Sequence, residues 1–296
     1  MGASKDVIQM PVNASPLLKW AGGKRKLIKV IADPVLDQLS NTGGRYIEPF
    51  FGGGAVGLYL GLPNMVINDS IIELVDFYQT VRDEPAKVAW ALSSLAILGV
   101  DEENYYRVRA IDPGAVAPEM RAARMLYLNR LGFNGLYRVN KSGKFNVPYG
   151  KQNYRESVVK RKSRDAITSL FPHKGKIEAV SRALATTTIC LGDFENVIAC
   201  AVKGDVVYCD PPYDGTFNSY TEDGFGDRDQ VRLAVSVYQA ARRGATVMIS
   251  NSDTARIREL YSWAEIMTTS ESRTINADGG GRKPVPCVLI VAEGRE

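Results

Sequence analysis

"RYIEPFFGGGAVGLYLGLPNMVINDS" (residues 45–70) is the stretch that decides the fold. "RYIEPF" reads as a short strand, the glycines as a turn, "AVGLYLG" as the start of a helix and "MVINDS" as a second apolar strand ending on an acid. Strand, glycine turn, helix, strand and acid form the layout of a nucleotide-binding βαβ unit. Gly52, Gly53 and Gly54 let the backbone take positive φ and approach a ligand closely, and the helix start that follows favours an anion. No Gly-Lys-Ser/Thr follows, so the turn is not a Walker A loop. The glycines alone would equally suit a structural tight turn. Asp69 adds the second signal, because an acid closing the second strand of such a unit is placed to accept hydrogen bonds from ribose hydroxyls. Turn and acid together point to an adenosine-containing cofactor.

Upstream, "LLKWAGGKRKLI" (residues 17–28) brings a tryptophan, two glycines and clustered lysines. Trp20 is a candidate wall for a stacked ligand and Lys24 a candidate partner for a carboxylate. A buried tryptophan beside surface lysines is the alternative. Downstream, "IIELVDFYQTVRD", "PAKVAWALSSLAIL" and "PEMRAARMLYLNRL" have helical spacing. "LYRVNKSGKFNVPYGK" sets two β-like runs around Asn140-Lys141-Ser142-Gly143, a hairpin signal. "VVKRKSRDAITSL" returns to helix. Strands resume with "TTTICLGDF", "GDVVYCDPPY", "ATVMISNSD" and "PCVLIVAE", and helical "DRDQVRLAVSVYQAARRG" separates two of them. The expected organisation is an α/β catalytic domain in two parts, residues 1–83 and 167–296, split by a helical-and-hairpin insertion at residues 84–166.

The 296 residues are ample for a sizeable core, and 45% hydrophobic with 24% charged residues is an ordinary globular balance. No apolar run approaches the roughly 20 residues of a membrane helix. The first residues lack a basic start followed by an apolar block, and Asp6 stands where myristoylation wants Ser or Thr, so a cytoplasmic protein is expected. Cys190, Cys200, Cys209 and Cys287 show no C-x-x-C spacing and His173 is the single histidine, which argues against a metal site. The net charge of +4 is unevenly spread. Residues 119–164 hold 12 Lys/Arg against 2 Asp/Glu, a balance of +10 that leaves −6 for the remainder. Tyr127, Phe133, Tyr137, Phe145, Tyr149 and Tyr154 lie in the same stretch. A basic, aromatic-laced insertion on an acidic body suits a polyanion such as nucleic acid; a solvated basic face is the alternative.

"VVYCDPPYDG" (residues 206–215) carries an apolar strand into an acid, two prolines and a tyrosine. Neither proline offers an N–H, so the strand ends there. Ligands of open α/β sheets sit outside the carboxyl ends of the strands, which puts Asp210, Pro211, Pro212 and Tyr213 where chemistry is expected. An exocyclic amine of a base is a poor nucleophile because its lone pair is delocalised into the ring. Acceptors around the amine favour its pyramidal, more nucleophilic form. Asp210 offers a carboxylate, Pro211 a carbonyl, and Tyr213 a face on which a flipped base can stack.

"KWAGGK" (19–24), "EPFFGGGAV" (48–56), "IND" (67–69), "NRLGFNGLYRVNKSGKFNVPYG" (129–150) and "DPPY" (210–213), in this order, resemble a Dam-type DNA adenine methyltransferase. The resemblance implies a Rossmann-like S-adenosylmethionine-dependent methyltransferase sheet with an inserted helical and β-hairpin DNA-recognition domain. It implies methyl transfer to the exocyclic amine of adenine in double-stranded DNA, by base flipping and without a metal. Trp20, Lys24, Asp69 and Asp210 match positions that contact the cofactor. Glu48, Pro49, Phe50, Gly52 and Gly54 belong to the loop beside its methionine moiety. "GDF" resembles the segment that holds its adenine, with Asp193 at the amino group and Phe194 against the ring. Asp210, Pro211, Pro212 and Tyr213 would hold the target adenine. Lys19, Arg130, Asn134, Arg138, Asn140, Lys141, Lys144 and Asn146 are the candidate DNA contacts.

Two departures leave the target sequence open. Members specific for GATC often carry an arginine near the hairpin tip, whereas here the tip is Asn140-Lys141-Ser142-Gly143-Lys144 and Arg138 precedes it. Lysine makes a less constrained contact to guanine than arginine's fork. The C-terminal "ADGGGRKPVPCVLIVAEGRE" also differs from the acidic, leucine-rich ending usual in the family. GATC, a related site and a relaxed site all fit, and a restriction endonuclease partner stays open. So do an RNA acceptor and a catalytically silent DNA-binding protein.

Overall fold

The computed structural model describes residues 12–20, 22, 24, 27–151, 170–214, 225–272 and 284–294. The helix expected from "VVKRKSRDAITSL" and the aromatic Tyr154 lie outside the described residues, apart from Leu170.

Helix α1 (Ile28–Thr42) leads into β1 (Tyr46–Glu48), α2 (Ala55–Leu60), β2 (Val66–Asp69) and α3 (Ile72–Asp83). Helices α4 (Pro85–Leu98), α5 (Glu102–Ala110), α6 (Pro118–Leu131) and α7 (Lys174–Ala183) follow. Then come β3 (Thr188–Leu191), α8 (Phe194–Ala199), β4 (Val206–Cys209), α9 (Asp227–Arg242), β5 (Thr246–Ser252), α10 (Ala255–Leu260), β6 (Glu265–Ser272) and β7 (Pro284–Ala292). The strands form one sheet in the order β3-β2-β1-β4-β5-β7-β6. The first five are mutually parallel, while β7 runs antiparallel to both β5 and β6.

Sequence alternation sets the two faces, because successive strand residues point to opposite sides. Tyr46, Tyr208, Met248 and Leu289 enter one core, and their neighbours Ile47, Val207, Ile249 and Ile290 the other. The second core is closed by α8 and α9 through Ile198, Leu233 and Val237. The first core continues without a break into α3 to α7, through Phe77, Leu92, Tyr105, Leu126 and Val180. A bidentate ion pair from Arg121 to Asp76, at 2.8 and 2.9 Å, fastens α6 to α3.

From β1 the chain steps outward to β2 and β3, then returns to place β4 and β5 on the other side of β1. The reversal makes the crevice between the carboxyl ends of β1 and β4 a topological switch point, the usual ligand position in open α/β sheets.

The expected hairpin is present at its tip. Asn140 N–H donates to Lys144 O and Asn146 N–H to Arg138 O, at 2.9 and 3.0 Å. Its arms form isolated bridges, Val139 with Phe145 and Gly132 with Tyr149, instead of extended strands. The carbonyl of Val147 accepts from Tyr105 Oη (2.9 Å) and Arg109 Nη1 (3.1 Å), so α5 takes a group that a cross-strand amide would use. Pro148 has no N–H to continue the ladder.

Candidate active site

The carboxyl ends of β1 and β4 bring two sequence motifs together at the switch point. Beyond β4, Lys24 Nζ lies 2.9 Å from Asp210 Oδ1, with Lys24 almost wholly buried and Asp210 one-fifth exposed. The same ammonium donates to Gly22 O at 2.9 Å and stands 4.7 Å from the centre of the Tyr213 ring. A cation, a carboxylate and an aromatic face thus share one small volume. Buried charges persist only when paired, and here each is the other's counter-ion.

Beyond β1, Glu48 is buried, and its Oε2 accepts from Gly57 N–H (3.0 Å) and Tyr46 Oη (3.1 Å). Burial pushes its carboxyl well above the usual carboxylate range; these two hydrogen bonds oppose the shift and nearby Asp210 adds to it. Asp69 closes β2 and accepts from Gly52 N–H (Oδ2, 2.9 Å) and Ile71 N–H (Oδ1, 3.0 Å). Desolvation still raises its pKa, against the pull of those amides. Asp69 therefore ties the glycine turn to the sheet, and with backbone donors at Gly52, Ser70 and Ile71 its carboxylate keeps lone-pair capacity for a further donor.

Trp20 lies directly on that turn. A Cβ on Gly53 would come within 2.7 Å of Trp20 Cβ, and one on Gly52 within 3.0 Å of the indole ring. Gly53 is thus required by close approach to a side chain, and Gly52 also by its left-handed backbone at φ 50°. Trp20 also stacks on Tyr137, at 5.8 Å between centroids and 30° between planes.

Phe50 stacks on Phe194 at 5.2 Å, and Phe225 packs against both at 5.8 and 5.9 Å. Arg232 covers Phe194 at 5.0 Å. Asp193 caps α8 by accepting from Glu195 N–H, and its Oδ2 pairs with Arg232 Nη2 at 2.9 Å. Asn68, beside Asp69, donates through Nδ2 to both Pro49 O and Gly192 O at 3.0 Å, joining the loops after β1 and β3.

Residues not singled out from the sequence brace the prolines. Gln230 Nε2 on α9 donates to Pro212 O at 3.0 Å, and its Oε1 accepts from Asn251 Nδ2 at 3.1 Å. Asn251 Oδ1, on β5, accepts from Asp214 N–H at 2.9 Å. Thr254 Oγ1 donates to Asp214 Oδ2 at 2.7 Å. Gln230 and Asn251 are both buried. The available signal was the run "SNSD" closing an apolar strand, since buried polar residues at a strand's carboxyl end need partners.

The candidate DNA contacts divide by environment. Lys19, Asn134, Arg138, Asn140, Lys141 and Lys144 are exposed. Arg138 Nε donates to Asn146 Oδ1 across the hairpin at 2.7 Å. Asn140 Oδ1 accepts from Ser142 and Lys144 N–H, both at 3.0 Å, and so builds the turn. Asn134 holds a left-handed backbone at φ 52°. Arg130 turns inward, its Nη2 donating to Leu17 O at 2.5 Å. Among the described residues no group of His, Cys, Asp and Glu could hold a metal ion, and no helix is long and apolar enough to cross a membrane.

A parallel sheet of this order, completed by a reversed β7 and carrying acid-bearing turns at its switch point, defines a Rossmann-like methyltransferase fold. Residues 20–275 match the D12 class N6 adenine-specific DNA methyltransferases, and the chain belongs to that family. It is 34% identical over 294 residues to the Type II methyltransferase M1.LlaDCHI of Lactococcus lactis subsp. cremoris, covering 96% of this chain and 97% of that one. It is 33% identical over 283 residues to the retron Ec67 DNA adenine methylase of Escherichia coli, covering 95% and 92%. A DNA adenine methylase of Vibrio cholerae is 33% identical over 281 residues, covering 93% and 94%. The protein is a Dam-type, adenine-specific DNA methyltransferase.

Proposed function

We propose that the protein moves a methyl group from S-adenosylmethionine to the exocyclic amine of adenine in duplex DNA, with the target base turned out of the helix into the β1–β4 crevice. The observation that carries this reading is the Lys24–Asp210 pair beside the Tyr213 ring. Opposite charges 2.9 Å apart match the zwitterionic amino-acid end of such a donor, carboxylate to Lys24 and ammonium to Asp210. Asp69 suits a ribose hydroxyl, and Trp20 with the Gly52–Gly54 turn supplies a wall and a close backbone. Phe50, Phe194 and Asp193 are the proposed adenine end, with Glu48 and Pro49 lining the loop. When bound, S-adenosylmethionine supplies an electrophilic methyl on a sulfonium, so the protein's own task is position and electrostatics.

At the acceptor, Asp210 and the Pro211 carbonyl accept hydrogen bonds from the adenine amine and orient its lone pair. Tyr213 stacks on the base and Pro212 stiffens the turn. Residues 84–166 serve as the recognition part, and residues 1–83 and 167–296 as the catalytic part. Arg138, Lys141 and Lys144 approach the duplex from the hairpin, with Lys19 and Asn134 beside them. GATC or a related site is the proposed target. A restriction endonuclease partner is compatible with the Type II name of the Lactococcus relative, and the cytoplasm of a bacterial or phage-infected cell is the proposed compartment.

The test uses methyl-labelled S-adenosylmethionine with duplex DNA, single-stranded DNA and RNA. Label is expected in duplex DNA. Label confined to RNA, or none in any substrate, would overturn the reading.

A further inference from the structure

Asn129, near the end of α6, is the residue through which the recognition segment holds the donor side of the site. Its carboxamide is buried and fully engaged. Oδ1 accepts from Lys19 N–H at 2.7 Å, and Nδ2 donates to Lys19 O at 2.8 Å and to Gly135 O at 2.9 Å. One side chain thus pairs with both the N–H and the C=O of Lys19, as a neighbouring strand would, and also fastens the turn that leads from α6 into the hairpin. Only an amide offers one acceptor and two donors in this arrangement. The fit around it is tight, because a Cβ on Gly135 (φ +66°) would meet Lys19 Cβ at 2.5 Å. Arg130 reinforces the grip by donating to Leu17 O.

Lys19 leads directly into Trp20, which lies on Gly52 and Gly53 and stacks on Tyr137. Four residues further on, Lys24 meets Asp210. Residues 17–20 are therefore held on one side by the recognition segment and shape the cofactor turn on the other.

We propose that Asn129 is a positioning residue that couples the donor site to the DNA-reading segment, so that each ligand binds more tightly when the other is present. The proposal rests on the donor and duplex roles assigned above. Coupling of this kind is reciprocal: duplex must improve donor affinity by the same factor as donor improves duplex affinity.

The test measures binding of S-adenosylhomocysteine with and without a target duplex, and of the duplex with and without S-adenosylhomocysteine, for wild type, Asn129→Asp and Asn129→Ser. Aspartate keeps the shape and the acceptor but loses both donations. Serine is smaller and uncharged, and stands in should the aspartate variant fail to fold, as judged by its melting transition. Wild type is expected to show a reciprocal gain of about fivefold or more, falling to within about twofold in the folded variant. In turnover, KM should rise for both S-adenosylmethionine and the duplex. A purely structural role would lower the active fraction and leave the coupling factor and both KM values unchanged, and that result would overturn the proposal. Wild type that binds both ligands independently would overturn it while leaving the donor reading intact. Wild type that binds no S-adenosylhomocysteine would overturn both.

Discussion

Lys24 Nζ and Asp210 Oδ1 meet at 2.9 Å although 186 positions separate them in the chain. The pair joins the segment before α1 to the turn after β4. Each charge is compensated by the other in a largely buried setting, so removing one raises the cost of keeping the other there. Lys24→Ala should therefore raise KM for S-adenosylmethionine about tenfold or more and lower the melting temperature, because a partly buried carboxylate loses this cation. Steady-state kinetics with a melting curve checks both. An unchanged donor KM would remove Lys24 from the donor site.

Glu48 gives a pH-dependent expectation. Burial holds its carboxyl well above the usual range. An acid whose folded pKa exceeds its unfolded value of about 4.3 contributes stability fully below that value and loses it as pH rises through the folded pKa. Glutamine at this position stays neutral and can still accept from Gly57 N–H and Tyr46 Oη. The difference in melting temperature, Glu48→Gln minus wild type, should grow as pH rises above the unfolded value of about 4.3. A constant difference would show that Glu48 does not titrate as its burial requires.

The brace behind the prolines should matter to catalysis as well as folding. Gln230→Ala removes the donor to Pro212 O and a partner of Asn251. Leaving buried polar groups unpaired costs about 1–3 kcal/mol each, so the melting temperature should fall. The rate constant kcat should drop while donor KM changes little, since the displaced groups face the acceptor. A fall in stability with full kcat in the folded fraction would reduce Gln230 to a structural role.

Salt dependence separates the hairpin lysines from Arg138. Lys141→Ala and Lys144→Ala should each weaken duplex binding across all sequences and reduce the slope of log K against log salt by about 1. Arg138→Ala should instead relax selectivity at one base position by about 1–3 kcal/mol. Fluorescence titrations over a salt series with target and scrambled duplexes distinguish the two outcomes.

Much of this architecture was legible in the chain. The glycine turn, Asp69 and the Asp-Pro-Pro-Tyr turn are local signals whose backbone chemistry announces itself, and the sheet sets them around β1 and β4 as the βαβ pattern required. What escaped was non-local. Gln230 looks like any polar residue on the amphipathic α9, and its burial depends on Asn251 arriving from β5. Asn129 sits in a helical run whose spacing gives no hint that its side chain pairs with a backbone 110 positions away. The hairpin arms read as strands because their residues alternate, yet α5 claims the Val147 carbonyl that the ladder needed. Nothing in the periodicity of "EENYYRVRA" had marked α5 as the element that would do so.

The most direct test of the account is nucleoside analysis of duplex DNA treated with S-adenosylmethionine and either wild type or Asp210→Ala. Wild type should yield N6-methyladenine. Asp210→Ala should yield essentially none while binding the duplex within about threefold of wild type, since catalytic electrostatics of this kind are worth roughly 10²–10³ in rate. N6-methyladenine produced by Asp210→Ala at the wild-type rate would contradict the assignment of the chemistry to the turn after β4.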